Sequence, residues 1–276
     1  MVLSIKQVIL TSVLSVLAFA VQAQTQKVEV LEYHPAPGQF VNTLPAADEN
    51  STQDDVNQGC EEQLSGDGLV HLGTYGGYIT VKFDHPIENK PGSDILILGN
   101  GFYSNADPIY GKETIGGSIE PGIVYVGVGK NLEEAKWYEL AGSEYYTSEI
   151  HDFQITYYKP TAESGDHTQF SSSYNKYIKW ECSWTDKNGE HRDSTGYHMK
   201  NVSHKQTYWP IWEGKDELTF KGGKLPNNAI ETSGKGTYWI QYRYAKDAYG
   251  YVDASPATDS LYSSFDINWA VDDEGN

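Results

Sequence analysis

Positive charge is scarce in this sequence. Its 276 residues include 20 lysines and arginines against 38 aspartates and glutamates, which gives a formal net charge of −18. A field of that sign repels nucleic acids and anionic lipid surfaces, and it attracts cations. The composition therefore argues against a nucleic-acid partner, although much of the acidity also suits an ordinary solvated surface.

Cysteine is scarce as well, since only Cys60 and Cys182 are present. In an oxidising compartment the two can form a disulfide. However, Cys182 alternates with Ile178, Trp180 and Trp184 on an apolar strand face, and such a position equally suits a buried free thiol. The sequence leaves both alternatives open. With two cysteines and no histidine at a ligand spacing, a zinc site is not expected.

Catalytic motifs are missing. The sequence contains no G-x-S-x-G elbow, no H-E-x-x-H, no P-loop and no dinucleotide-binding fingerprint. The E-x-D-x-x-E pattern of sandwich-fold glycanases is also absent. The histidines are scattered along the chain, at His34, His71, His85, His151, His167, His191, His198 and His204. We therefore predict a non-catalytic protein, with a glycan-active enzyme as an alternative.

Long apolar runs are absent except at the N-terminus. Lys6 precedes an apolar stretch over residues 8–21, and Val21-Gln22-Ala23 then forms a small-x-small pattern. This order predicts a signal peptide over residues 1–23 and export to the cell surface, the periplasm or the medium. The stretch is shorter than the ~20 residues of a spanning helix. We expect no transmembrane segment in the mature chain, residues 24–276.

What the chain does contain is period-two alternation. It recurs over 78–83, 122–128, 152–158, 177–184, 237–244 and 264–271, and 94–98 is apolar on both faces. These runs are rich in β-branched and aromatic residues, and turn residues separate them. No sustained helical period follows the signal peptide. The pattern predicts an all-β fold, a two-sheet, jelly-roll-like β-sandwich that forms a single domain with long loops.

The same alternation predicts which side chains form the core and where the long loops lie. The predicted core residues are Ile79, Val81, Ile97, Val124, Val126, Phe153, Ile155, Trp180, Ile240, Ile267 and Trp269. Long loops are expected over 42–68, 99–121, 159–175 and 245–262. Loops of this length in a compact domain are usually functional or disordered.

The 99–121 loop is a candidate calcium site. It joins two predicted strands and carries Asn100 and Glu120, and Asp94 lies just upstream. Calcium takes ~6–8 oxygen ligands from carboxylates, amides and carbonyls. We predict that Asp94, Asn100 and Glu120 converge to bind it. The alternative is that these residues simply form turns.

Aromatic residues are the second candidate site. With 21 tyrosines, 7 tryptophans and 8 phenylalanines, some rings are expected at the surface, where a flat face suits a sugar ring. The predicted ligand-binding residues are Trp209, Trp212, Trp239, Tyr249 and Tyr251. The alternatives are an entirely structural role and a protein interface.

The C-terminal segment predicts one more feature. Residues 264–271 alternate regularly, and residues 272–276 have the composition of a hairpin turn. A turn normally leads to a partner strand. We therefore expect a further strand beyond residue 276, without which an edge of the 264–271 strand is open to pairing. The alternative is that this strand pairs on both sides with earlier strands and the tail is frayed.

Several segments together resemble an exported cell-surface protein family of gut Bacteroidetes. The segments are GGYITVKFDHPIENKPGSDILILGNGF, SIEPGIVYVGV, KWYELAGSEY, DFQITYYKP and FDINWAVDDEGN, so the resemblance covers roughly residues 30–276. It implies a β-sandwich and an association with outer-membrane nutrient uptake, including uptake of cobamides. Its family-like positions are Asp94, Asn100, Glu120 and Trp137.

These observations predict an exported, non-catalytic binding protein for a glycan or small nutrient, with an outer-membrane uptake protein as a further candidate partner and calcium as the candidate cofactor. The alternatives are a structural or adhesion protein that binds another protein, a cobamide-type ligand, and a glycan-active enzyme. An exposed aromatic groove favours the first prediction. A flat apolar patch favours adhesion, and two facing carboxylates in a cleft favour an enzyme.

Overall fold

The computed structural model describes residues 28–66, 68–103, 117–161, 166–171, 174–231, 239–241, 248–256 and 263–276. The predicted signal peptide lies outside these residues, as does the 104–116 part of the candidate calcium loop. Within the described ranges, no helix has both the length and the apolar character needed to cross a membrane.

The described chain is mostly β-structure. Its strands are β1 (Val28–His34), β2 (Tyr78–Phe83), β3 (Ile95–Leu96), β4 (Phe102–Tyr103), β5 (Gly117–Ser118), β6 (Tyr125–Val128), β7 (Lys136–Leu140), β8 (Ile150–Tyr158), β9 (Asp166–Ser171), β10 (Tyr174–Thr185), β11 (His191–Asn201), β12 (Glu217–Lys224), β13 (Ala229–Glu231), β14 (Trp239–Gln241), β15 (Ser264–Phe265) and β16 (Ala270–Val271). One α-helix, α1 (Gln53–Leu64), and the 3-10 turns Ile211–Glu213 and Ile267–Trp269 accompany them.

The largest sheet has the order β11-β10-β8-β12, and β9 also pairs with β10. Its antiparallel register places Phe220 opposite Ile155 and Leu218 opposite Tyr157. These four side chains are buried in one core cluster. Each contributes about 1.5–3 kcal/mol when it leaves water. Period-two alternation therefore determines which face of this sheet packs inward, as expected from the sequence.

Smaller antiparallel sheets complete the fold, with the orders β1-β2, β13-β14-β5-β4, β15-β3 and β16-β7-β6. The sheet β16-β7-β6 matters most for the site, because its register places Tyr125 of β6 and Val271 of β16 on either side of Glu139 of β7.

The predicted β-rich fold is confirmed by these sheets. The described strands divide among several sheets, and they do not confirm a two-sheet jelly roll.

The expected strand over 264–271 is wrong as a continuous element. The structure divides it into β15, the 3-10 turn Ile267–Trp269 and β16. The reason is local hydrogen bonding. The Asp266 side chain accepts from the backbone N–H of Asn268 at 2.8 Å, and Asp94 Oδ2 accepts from the N–H of Ile267 at 3.0 Å. Such side-chain acceptors compete with the ladder of a strand.

The expectation that residues 42–68 form a loop is also wrong, because α1 lies within them. Thr52 caps the helix reciprocally with Asp55. Val56 and Cys60, four residues apart, are buried on one face, and Leu64 packs against the same cluster. Three apolar residues in a strongly acidic segment are too few to produce a recognisable helical period.

The predicted core is confirmed only in part, because the described members are divided among three core clusters and most are partly buried. Val124, Phe153 and Ile155 are buried. The other predicted core residues that are described are partly buried and pack against a core cluster, namely Ile79, Val81, Ile97, Val126, Trp180, Ile267 and Trp269. Ile240 lies in β14, whose side chains are outside the description. Cys60 and Cys182 are both free thiols.

Candidate metal centre

Three potential metal ligands meet where β7 and β8 come together. Glu139 lies on β7, Glu149 directly precedes β8, and His151 is the second residue of β8. One ligand atom from each lies within 4.8 Å of those of the other two. The segment between the two strands reverses the chain, and this reversal brings Glu139 close to residues ten and twelve positions later.

Glu149 is the unusual member of this cluster. Its side chain has no exposed surface, and among the described residues no hydrogen-bond donor reaches either carboxylate oxygen. One oxygen of Glu139, which is itself buried, also lacks a donor within the described chain. Burying a carboxylate without a compensating donor or cation is costly. The cluster therefore needs either a proton shared between the two carboxyl groups or a cation.

His151 is oriented as a metal ligand would be. Its Nε2 lies 3.0 Å from the carbonyl oxygen of Tyr145. A carbonyl can only accept, so Nε2–H is the donor, and in the neutral ring Nδ1 then carries the lone pair. That Nδ1 lies 3.6 Å from Oε1 of Glu149. A lone pair facing a carboxylate is unfavourable unless a cation or a proton lies between them.

Burial and mutual repulsion of the two acids determine their protonation. Burial, followed by the charge of Glu139, raises the pKa of Glu149 to about 9. Burial also raises the pKa of Glu139. The Tyr125 phenol lies beside this pair, and its pKa is raised by burial first and then by the Glu139 charge. Without a metal, the pair therefore keeps a proton at neutral pH, and a bound cation would displace it.

A glycine on the neighbouring strand β12 makes room for the buried carboxylate. A Cβ at Gly223 would lie 2.1 Å from Oε1 of Glu149 and 2.6 Å from Cδ1 of Ile123. Real Cβ atoms do not approach other atoms so closely, so only glycine fits this position without movement. The absence of a side chain at Gly223 of the large sheet thus leaves the space that the Glu149 carboxylate occupies.

The donor set fits a transition metal better than calcium. Zinc binds imidazole nitrogen and carboxylate oxygen at ~2.0–2.2 Å in a tetrahedral arrangement, so two donors of one ion lie roughly 3.4 Å apart. The ligand atoms of Glu139, Glu149 and His151 lie within 4.8 Å of one another, so they would have to move closer together to bind one ion. Calcium takes oxygen ligands, whereas imidazole suits zinc, nickel, copper and iron. Three protein ligands also leave one coordination position for an external ligand.

The residues of the predicted calcium site have other partners. Asp94 accepts backbone N–H groups of Lys90 at 2.7 Å and Ile267 at 3.0 Å. Glu120 accepts from the Ser118 hydroxyl at 3.0 Å and lies near Asp253, whose Oδ2 accepts from the Glu120 N–H at 3.3 Å. Among the described contacts, Asp94 shares none with Glu120.

Asn100 is exposed, and its neighbour Gly101 donates its N–H to Asp253 at 2.7 Å. The structure therefore gathers Glu120 and the backbone beside Asn100 around Asp253, a residue that the sequence did not single out. Asp94 instead anchors the 3-10 turn Ile267–Trp269. The calcium site stays a prediction.

Most of the aromatic residues predicted to bind a ligand are in the core. The exposed fraction is 1% for Trp209, 9% for Trp212 and 0% for Tyr251, so the expected surface position of these three is wrong. Each is held inside by specific contacts. The Trp209 indole donates to the Lys215 carbonyl, Trp212 stacks on Tyr33, and the Tyr251 hydroxyl accepts from a backbone amide.

The other two residues predicted to bind a ligand are Tyr249 and Trp239. Tyr249 is 43% exposed, and its ring centroid lies 5.0 Å from that of Trp269. Trp239 begins β14, and its side chain lies outside the described residues. Trp137, identified only through the family resemblance, is also exposed, and it lies against Gly127 of β6.

The cluster of Glu139, Glu149 and His151 was not predicted from the sequence, although the Glu149-x-His151 pair is a local signal for it. Two residues apart in a strand, such side chains project from the same face. Glu139, on a different strand, gives no local signal at all. No protein-family model matches the chain, and a search of curated proteins found no similar sequence.

Proposed function

We propose that this chain is an exported ligand-binding protein that holds a divalent transition-metal ion at Glu139, Glu149 and His151. One observation carries the proposal: the buried Glu149 carboxylate has no donor within the described chain, and one of its oxygens lies 3.6 Å from Nδ1 of His151. Export, capture of a glycan or small nutrient, and a jelly-roll-like sandwich are proposed from the sequence. The period-two alternation supports the last of these.

Binding is favoured over glycan hydrolysis at this site. A glycosidase needs both carboxyl groups at the scissile bond, about 5–5.5 Å apart in the retaining class. The Glu149 side chain has no exposed surface, so no glycosidic bond can reach it. A pair of carboxylates closed off in this way can hold an ion, but it cannot transfer a proton to a bulky substrate.

A thermal-shift experiment tests the metal proposal. The protein is stripped with a chelator, and its melting temperature is measured with zinc, manganese, cobalt, nickel, calcium or magnesium. An ion that binds only the folded state at 100 times its Kd stabilises by about 2.7 kcal/mol. For a chain of this size the melting temperature should then rise by about 5–10 °C. We expect this rise with a transition metal and little change with calcium.

Three variants identify the site. Glu149→Gln and His151→Ala should each abolish the metal-induced rise in melting temperature, because each removes one donor. Glu133→Gln changes an exposed acid and should keep the full rise. The proposal is contradicted if no transition metal stabilises the wild-type protein, or if Glu149→Gln responds as the wild type does.

A further inference from the structure

The proposed metal centre is exposed to solvent at His151. The Glu149 side chain has no exposed surface, whereas the His151 side chain is 49% exposed. Glu139 is buried on β7. We therefore place the approach of an external ligand at His151, which is the exposed member of the cluster.

Aromatic rings lie directly beside this opening. The ring centroid of Tyr145 lies 4.5 Å from that of His151, and the ring centroid of Tyr146 lies 4.8 Å from that of Tyr145. Tyr146 is 73% exposed. Contact with Tyr145 holds an exposed flat ring next to the approach to the ion. An apolar face so open to water is suited to a ligand that supplies an apolar face of its own.

A second pair of rings borders the same stretch of chain. The Ser143 N–H donates to the Tyr249 carbonyl at 3.0 Å, and the Ala141 N–H donates to the Trp269 carbonyl at 2.9 Å. The rings of Tyr249 and Trp269 contact each other, and Tyr249 is exposed. The backbone of Tyr249, whose ring is exposed, therefore lies beside residue 143.

The charge of the proposed metal centre and of the whole chain limits which ligands can bind there. Two ionised carboxylates and one divalent ion leave the centre with no net charge, and the whole chain carries a net charge of −18. That field opposes the approach of an anion such as a uronate or a phosphate ester. The open metal position takes an oxygen donor. The favoured ligand is therefore neutral, rich in oxygen donors and apolar on one face.

We propose that the ligand is a neutral oligosaccharide, which coordinates the ion through ring hydroxyl oxygens while the C–H face of a sugar ring stacks on Tyr146. This inference rests on the metal centre proposed above. It assigns one role to the ion and a separate role to the exposed tyrosine, so the two can be tested independently.

Calorimetric titration of the protein loaded with its most stabilising ion tests this inference. The probes are three neutral oligosaccharides, mannohexaose, cellohexaose and xylohexaose, and one acidic oligosaccharide, hexagalacturonic acid. We expect at least one neutral probe to bind and the acidic probe to bind more weakly or not at all. Removal of the ion should abolish binding of the neutral probe.

Two tyrosine variants separate stacking from metal binding. Tyr146→Ala should weaken binding of the neutral probe by about tenfold, and the metal-induced rise in melting temperature should be unchanged. Tyr174→Ala, at an exposed tyrosine of β10, should bind as the wild type does. Glu149→Gln should lose both the metal-induced rise and the sugar binding.

The outcomes distinguish the two proposals. If a transition metal stabilises the protein but no neutral probe binds up to about 10 mM, the sugar inference is overturned and the metal centre stands. Preference for the acidic probe, or full binding by Tyr146→Ala, overturns it in the same way. If no metal stabilises the protein, the metal proposal fails and the sugar inference fails with it.

Discussion

Two buried carboxylates in this protein have opposite surroundings. Asp253 accepts the N–H groups of Gly101 at 2.7 Å and of Glu120 at 3.3 Å, one on each oxygen. Glu149 accepts none from the described chain. Burial raises the pKa of both acids, and a neighbouring acid adds to the rise, Glu120 for Asp253 and Glu139 for Glu149.

Burial and a raised pKa therefore do not by themselves identify a ligand site. Asp253 and Glu149 differ in the number of hydrogen-bond donors that reach their carboxylate oxygens. Backbone amides hold Asp253 in one position, where it joins the chain near residue 101 to that near residue 120, and a carboxylate is well suited to such a clamp. Its backbone has a φ of 50°, which aspartate tolerates better than most residues. Glu149 has no such amide donors, so without a cation its charge is compensated by the proton that it shares with Glu139.

The largest effect is expected from Asp253→Ala. The substitution leaves two N–H groups without their acceptor, at about 1–3 kcal/mol each when buried. It also places alanine at a positive φ. We expect the free energy of unfolding to fall by about 2–4 kcal/mol, as measured by urea denaturation. Asp216→Ala, at a side chain that is 90% exposed, is the control and should change little. A loss as small as that of the control would show that Asp253 is not a clamp.

Gly223→Ala tests the surroundings of the Glu149 carboxylate. The new Cβ would overlap Oε1 of Glu149, and displacing a packed group typically costs about 1–3 kcal/mol. Because Glu149 must move, the metal-induced rise in melting temperature should also be lost. Gly66→Ala is the matched control, since its Cβ would come no closer than 3.8 Å to the atoms around it. Retention of the full metal response by Gly223→Ala would argue against this geometry.

The pH dependence of stability reports on Asp253 directly. Its pKa is raised from 3.8 in the unfolded chain to about 7 in the folded protein, so the folded state holds a proton that the unfolded state releases. The stability of the wild type relative to Asp253→Asn should therefore be highest near pH 4. It should fall steadily as the pH rises to about 7, and then level off. Denaturant unfolding of both proteins at several pH values measures this difference, and a constant difference would contradict it.

Asp94→Asn should have the smallest effect. The amide keeps one oxygen for the N–H of Lys90 or Ile267 and loses the other acceptor, which costs about 0.5–1.5 kcal/mol for a hydrogen bond near the surface. The response to calcium and to transition metals should not change. Asp273→Asn, an exposed acid, is the control. If Asp94→Asn removed a calcium response of the wild-type protein, the calcium site predicted from the sequence would be supported.

The sequence predicted β8 and β10 of the large sheet, because period-two alternation is a local property and Phe153 and Ile155 follow it. It did not predict β11, and β9 lies in the 159–175 segment that was expected to form a loop. It missed α1, whose capping box is local but whose apolar face is narrow. It also placed Trp209, Trp212 and Tyr251 at the surface. A ring in an irregular segment has no periodicity that indicates which way it faces, so only the surrounding elements decide its burial.

Composition and local pattern alone determined the strong negative charge, the β-rich architecture and the inward faces of the main strands, because charge is additive and strand faces alternate residue by residue. The candidate metal centre was decided by tertiary structure. Glu139 and His151 belong to separate strands, Gly223 of a third strand leaves the necessary space, and the Tyr145 carbonyl orients the imidazole. Contacts between distant residues bring these groups together, and no local pattern encodes such contacts.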